Sequence, residues 1–139
     1  PLRSAIALTP AANGANGLPP APDEDGMVQA WEIFEGMPLQ ADLVTLSACE
    51  TALGKDMAGE GLMGLNRAFH HAGARSVVVT LWSVSDESTA VFMAAFYRRI
   101  KAGERRDVAL VQAQRALMKD AATQHPYHWA PFVLSGAAQ

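Results

Sequence analysis

Two apolar runs with a patterned segment between them constrain this chain more than anything else in it. Leu43-Val44-Thr45-Leu46-Ser47 is nearly all apolar, and Ser76-Val77-Val78-Val79-Thr80-Leu81-Trp82 is β-branched and unpunctuated. Neither run has the polar alternation of a half-solvated strand, so each is expected in the interior of a sheet covered on both faces. Between them, Leu62, Leu65, Ala68, Phe69 and Ala72 recur at spacings of three and four, and Gly73 follows. That spacing predicts an amphipathic helix over 61–72 closed by a glycine cap. A strand, a helix and a second strand in this order make a parallel pair with a right-handed crossover.

The rest of the chain extends the same plan. Ser4 to Leu8 reads as a strand, and residues 9–22 have the Gly, Pro and Asn content of a loop that buries no apolar surface. A flexible insertion at about 9–25, inside a hairpin, is expected. Met27 to Phe34 then reads as a short strand leading into a helical turn that Gly36 and Pro38 terminate. Ser85 is placed to cap a helix with Asp86 and Glu87 in its first turn, Thr89, Met93, Phe96 and Ile100 along one face, and Arg98, Arg99 and Lys101 near its end. A further helix is expected from about Asp107 to Lys119, and a last short strand at Phe132-Val133-Leu134. Alternating strands and helices indicate an α/β fold, a three-layer α/β/α sandwich with a mostly parallel central sheet.

At 139 residues, 50% of them hydrophobic and 18% charged, the chain has the material for one domain with its own core. A net charge of −3 supplies no field for nucleic acid. No apolar run approaches the roughly 20 residues needed to span a bilayer. Neither nucleic acid nor membrane is therefore expected as a partner, and the single free cysteine fits a reducing compartment, taken as the cytoplasm.

That cysteine, Cys49, follows the first apolar run directly. Ligands and reactive groups in open α/β sheets collect beyond the carboxyl ends of the strands, which makes Cys49 a plausible nucleophile. A thiol with an ordinary pKa of about 8.5 is a poor nucleophile until a histidine, a cation or a helix N-terminus lowers that value. The competing reading is a small buried hydrophobe. The four histidines offer no obvious base. His70 and His71 are adjacent at the far end of the helix after Cys49 and point in different directions. His125 and His128 flank Pro126 in what looks like a packing corner. With no second cysteine and no His-x-x-x-His spacing, no metal site is expected.

Gly59-Glu60-Gly61-Leu62-Met63-Gly64 satisfies G-x-G-x-x-G, with Asp86 downstream as a ribose-binding acid. A dinucleotide site needs its first glycine directly after the strand, and too many residues intervene here. No cofactor is expected.

Four blocks, Ala41–Thr51, Gly59–Phe69, Ala72–Asp86 and His125–Leu134, resemble the CHAT domain, a caspase-like domain associated with tetratricopeptide repeats in the caspase and separase group of cysteine peptidases. The resemblance implies a caspase-like sandwich. It also implies that Cys49 is the nucleophile of an endopeptidase acting on protein or peptide substrates without metal or cofactor. Family members carry a catalytic His-Gly pair shortly before the segment corresponding to Pro1–Leu8, so this chain is expected to be the C-terminal part of a longer domain, lacking its N-terminal strands and inactive alone. Trp82-Ser83-Val84-Ser85-Asp86 is similar to a separase segment that forms an acidic pocket for a basic side chain, although a dipole-favoured helix acid explains Asp86 equally well. Tetratricopeptide repeats or an activator upstream, and self-association through an exposed sheet edge, are the implied partnerships. A non-catalytic caspase-like scaffold is the alternative.

Overall fold

The structure, a computed structural model, describes residues 5–7, 27–46 and 58–139. The expected insertion at about 9–25 and the segment carrying Cys49 lie outside the described residues. In chain order the elements are β1 (Ala5–Ala7), β2 (Met27–Gln29), α1 (Ala30–Gly36), β3 (Val44–Leu46), α2 (Ala58–His71), β4 (Ser76–Thr80), α3 (Asp86–Lys101), α4 (Arg106–Lys119), α5 (Pro126–Trp129) and β5 (Phe132–Gly136).

The expected hairpin is present: β1 and β2 pair antiparallel, with Ile6 opposite Val28. So is the expected parallel pair, β3 with β4, in which Val44, Thr45 and Leu46 stand opposite Val77, Val78 and Val79. Among the described residues the order of the larger sheet is β3-β4-β5, and β5 runs antiparallel to β4 with Thr80 opposite Phe132. The three-stranded sheet is thus mixed, with one parallel and one antiparallel ladder, where a mostly parallel one was expected. The reason is local. After α4 the chain returns through the single turn of α5, and β5 enters beside the carboxyl end of β4, which forces the opposite direction.

Every residue of β4 is buried, as an unpunctuated Val-Val-Val run requires. Its side chains alternate between two cores. Val78 packs with Phe92, Phe96, Ala109, Leu110 and Phe132 beneath α3 and α4. Val77 and Val79 pack with Ala30, Ile33, Leu65 and Ala68 beneath α1 and α2. The chain is α/β, with helices drawn against both faces of β4.

Local chemistry explains the element ends. α2 stops at Gly73, whose φ of 115° belongs to the left-handed region that glycine enters without a Cβ penalty. Ala74 N–H reaches back to Phe69 O at 2.9 Å, closing the expected cap. The face of α3 differs from expectation. The residues it buries are Ser88, Phe92, Ala95 and Phe96 rather than a stripe from Thr89, while Met93 and Ile100 only flank the core. The helix is rotated toward Phe92 because β5 places Phe132 beneath it, and the two rings stack with centroids 3.7 Å apart. Nothing in the local spacing of α3 announces that partner 40 residues away.

Candidate functional site at the carboxyl end of the sheet

Leu46 stands opposite Val79, so β3 and β4 run out at the same end of the sheet. In an open α/β sheet that end is where a ligand meets the chain. β4 finishes there on Thr80, only 7% exposed, whose hydroxyl has no hydrogen-bond partner among the described residues. Immediately beyond it the burial pattern reverses, and Leu81 and Trp82 are 51% and 39% exposed.

The segment after β4 is held by several bonds. Leu81 N–H donates to Pro131 O at 3.0 Å, and the Trp82 indole Nε1–H donates to Tyr127 O at 3.0 Å. Ser85 caps α3 as expected, its Oγ accepting the Ser88 N–H at 3.3 Å. The Ser85 hydroxyl also donates to Ser88 Oγ at 2.9 Å, and Ser88 Oγ in turn shares a 2.9 Å hydrogen bond with His128 Nδ1. Asp86 and Glu87 occupy the first turn of α3, exposed to solvent, where the orphan N–H groups and the helix dipole favour negative charge.

Sequence reasoning named Cys49 and Asp86. Of these only Asp86 is described, and it lies at the sheet end where β3 also terminates. The four histidines do the structural work expected of them. His70 Nδ1–H donates to Ala74 O at 3.0 Å and its Nε2 shares a 2.9 Å bond with Ser135 Oγ. Since Ser135 stands opposite Val77, His70 sits toward the other end of β4. His71 stacks on Phe34 at 3.6 Å, and His125 Nδ1 accepts the Tyr127 N–H as the cap of α5. The Ser88–His128 bond was missed. No spacing rule joins Ser88 and His128, which stand 40 positions apart.

The rival dinucleotide reading fails on geometry. Gly59, Gly61 and Gly64 all lie within α2, which begins at Ala58, so the first glycine is not in a strand-to-helix turn. Asp86 opens a helix instead of closing a strand. Among the described residues no group of three or more His, Cys, Asp or Glu side chains is arranged to hold a metal, and no helix is long and apolar enough to cross a membrane.

A mixed sheet flanked by helices, with exposed aromatic and acidic residues beyond the carboxyl end of β4, defines an α/β domain. Residues 1–137 match the CHAT domain, a caspase-like family, and the chain belongs to it. Relatives include tetratricopeptide repeat protein 28 of Mus musculus, 36% identical over 99 residues, which is 71% of this chain and 4% of that protein. The Homo sapiens protein of the same name is 31% identical over 116 residues, covering 84% of this chain and 5% of the relative. The chain therefore spans only about a twentieth of the length of these curated relatives, both of which are repeat proteins by name.

Proposed function

We propose that this chain is part of a caspase-like cysteine endopeptidase domain, with residues 1–139 folding as one unit of a three-layer sandwich. The observation that carries the reading is the shared exit of β3 and β4. Cys49 follows Leu46 by three residues in sequence, and the register that sets Leu46 opposite Val79 brings β3 out beside Thr80 and the Trp82–Asp86 rim. Membership of the CHAT family supports the same assignment.

In this reading the Cys49 thiolate attacks the scissile carbonyl carbon, and the carbon–nitrogen bond breaks. The thiol proton passes through a histidine upstream of Pro1 to the departing amine, and water then hydrolyses the thioester. Asp86 pairs with an arginine or lysine side chain on the substrate, its exposed carboxylate accepting from the guanidinium or ammonium group. The domain acts in the cytoplasm on protein substrates, beside tetratricopeptide repeats of the kind its relatives are named for.

The test compares the parent protein carrying its upstream residues with this chain, using a peptide library. Turnover by the parent that disappears in Cys49→Ala, and a preference for basic residues that disappears in Asp86→Asn, support the reading. Undiminished turnover in Cys49→Ala refutes the nucleophile. Absence of turnover by any form, with partner binding intact, favours a scaffold.

A further inference from the structure

The connection from β4 to α3 is fastened to α5 and the turn after it at three points. Two are the Leu81 N–H to Pro131 O and Trp82 Nε1–H to Tyr127 O bonds, each 3.0 Å. The third joins α3 itself, where Ser88, 1% exposed, meets His128 Nδ1 at 2.9 Å. This last bond continues the cap of α3, where Ser88 N–H donates to Ser85 Oγ and the Ser85 hydroxyl donates to Ser88 Oγ. A buried hydroxyl of this kind is costly to leave without its hydrogen-bond partner.

Ser85 and Ser88 bracket Asp86, and the capping turn they form sets the direction of the first helical residues. We infer that His128, acting through Ser88, is a positioning residue that fixes the first turn of α3 and so the way Asp86 is presented to a basic side chain. The inference rests on the reading of Asp86 as the basic-residue subsite. It assigns to α5 a role in specificity, where capping and packing had been the whole account of its histidines.

The substitutions that test it are His128→Phe, which keeps a ring and removes the hydrogen-bonding nitrogen, and His128→Asn, which returns a hydrogen-bonding side-chain amide near the position of Nδ1. The probes are benzamidine, a guanidinium-like cation, and benzamide, its neutral counterpart. Binding to the 139-residue chain is followed by nuclear magnetic resonance at a temperature where circular dichroism shows every variant folded. His128→Phe is expected to lose about ten-fold in benzamidine affinity, with benzamide unchanged, and to exchange its Ser88 amide and Trp82 indole protons about ten-fold faster. His128→Asn is expected to stay within about two-fold of the parent chain on each readout. A purely structural histidine would lower melting temperature without altering the ratio of the two probes.

Unchanged exchange and unchanged selectivity in His128→Phe overturn the inference, as does a loss in His128→Asn as large as in His128→Phe. Failure of the Asp86 reading looks different: the unsubstituted chain shows no preference for benzamidine, or Asp86→Asn retains it. That outcome removes the specificity role together with the subsite, and the exchange rates then report only whether α5 holds the turn.

Discussion

The two ends of β4 treat the same problem in opposite ways. Ser76 and Thr80 are both polar, both buried and both on the α4 side of the strand, as period-two alternation requires. At the amino end Ser76 is fully used. It donates to Ala137 O at 2.5 Å and accepts from Arg106 Nη1 at 3.1 Å, and Arg106 in turn approaches Asp42 at 3.7 Å. At the carboxyl end the Thr80 hydroxyl has no partner among the described residues, and Leu81, Trp82, Asp86 and Glu87 beyond it are exposed. One end closes the fold with satisfied polar groups. The other leaves a buried hydroxyl without a partner among the described residues and turns aromatic and acidic side chains to solvent.

The contrast is sharpest if the exposed rim stands on a firm base. Phe132 lies opposite Thr80 and stacks on Phe92, so Phe132→Ala should cost about 3–5 kcal/mol in denaturant unfolding. A small loss would mean that the carboxyl end is soft throughout and the comparison misdrawn. At the other end, Gly73→Ala should destabilise by about 1–3 kcal/mol, because φ is positive there and an added Cβ would collide with the Leu39 carbonyl. Thermal melts that coincide with the parent chain would show that the turn before β4 is adaptable.

The direct test pairs Ser76→Ala with Thr80→Val. The first removes the buried hydroxyl that donates to Ala137 O and accepts from Arg106 Nη1, and should cost about 1–3 kcal/mol. The second removes a hydroxyl that has no partner among the described residues, and should be neutral or stabilising by up to about 1 kcal/mol while leaving the fold intact. Equal losses at the two positions in urea unfolding would erase the distinction.

The smallest effect lies beside the satisfied end, where Arg105 and Asp107 pair at 2.7 Å. The Arg105 hydrogen bond holds the Asp107 carboxyl below its ordinary value. A depressed folded-state pKa contributes stability above the usual carboxylate range, and that contribution is lost as pH falls through the folded value. Both groups are exposed, so Arg105→Ala should raise the Asp107 pKa in a carbon-detected titration without a measurable change in melting.

Much of this architecture was legible in the residues. The Val77-Val78-Val79 run required a strand covered on both faces, the spacing from Leu62 to Ala72 required a helix, and Gly73 and Ser85 announced its end and the next beginning. All of these are short-range rules, satisfied within a turn or a strand. The family resemblance carried by the four blocks was likewise readable, and it singled out Cys49 and Asp86 before any fold was known.

What the tertiary structure alone decided has a common physical cause, since each case depends on residues far apart in sequence. The antiparallel direction of β5 follows from how α5 returns the chain to the sheet. The rotation of α3 onto Phe92 follows from Phe132 being beneath it. The Ser88–His128 bond exists because α3 and α5 meet over the carboxyl end of β4, and the idle hydroxyl of Thr80 because nothing polar among the described residues reaches it there. Hydrophobic periodicity records which face of an element is buried; it carries no information about which partner buries it, and hydrogen-bond pairing between distant elements is set only when the chain has closed.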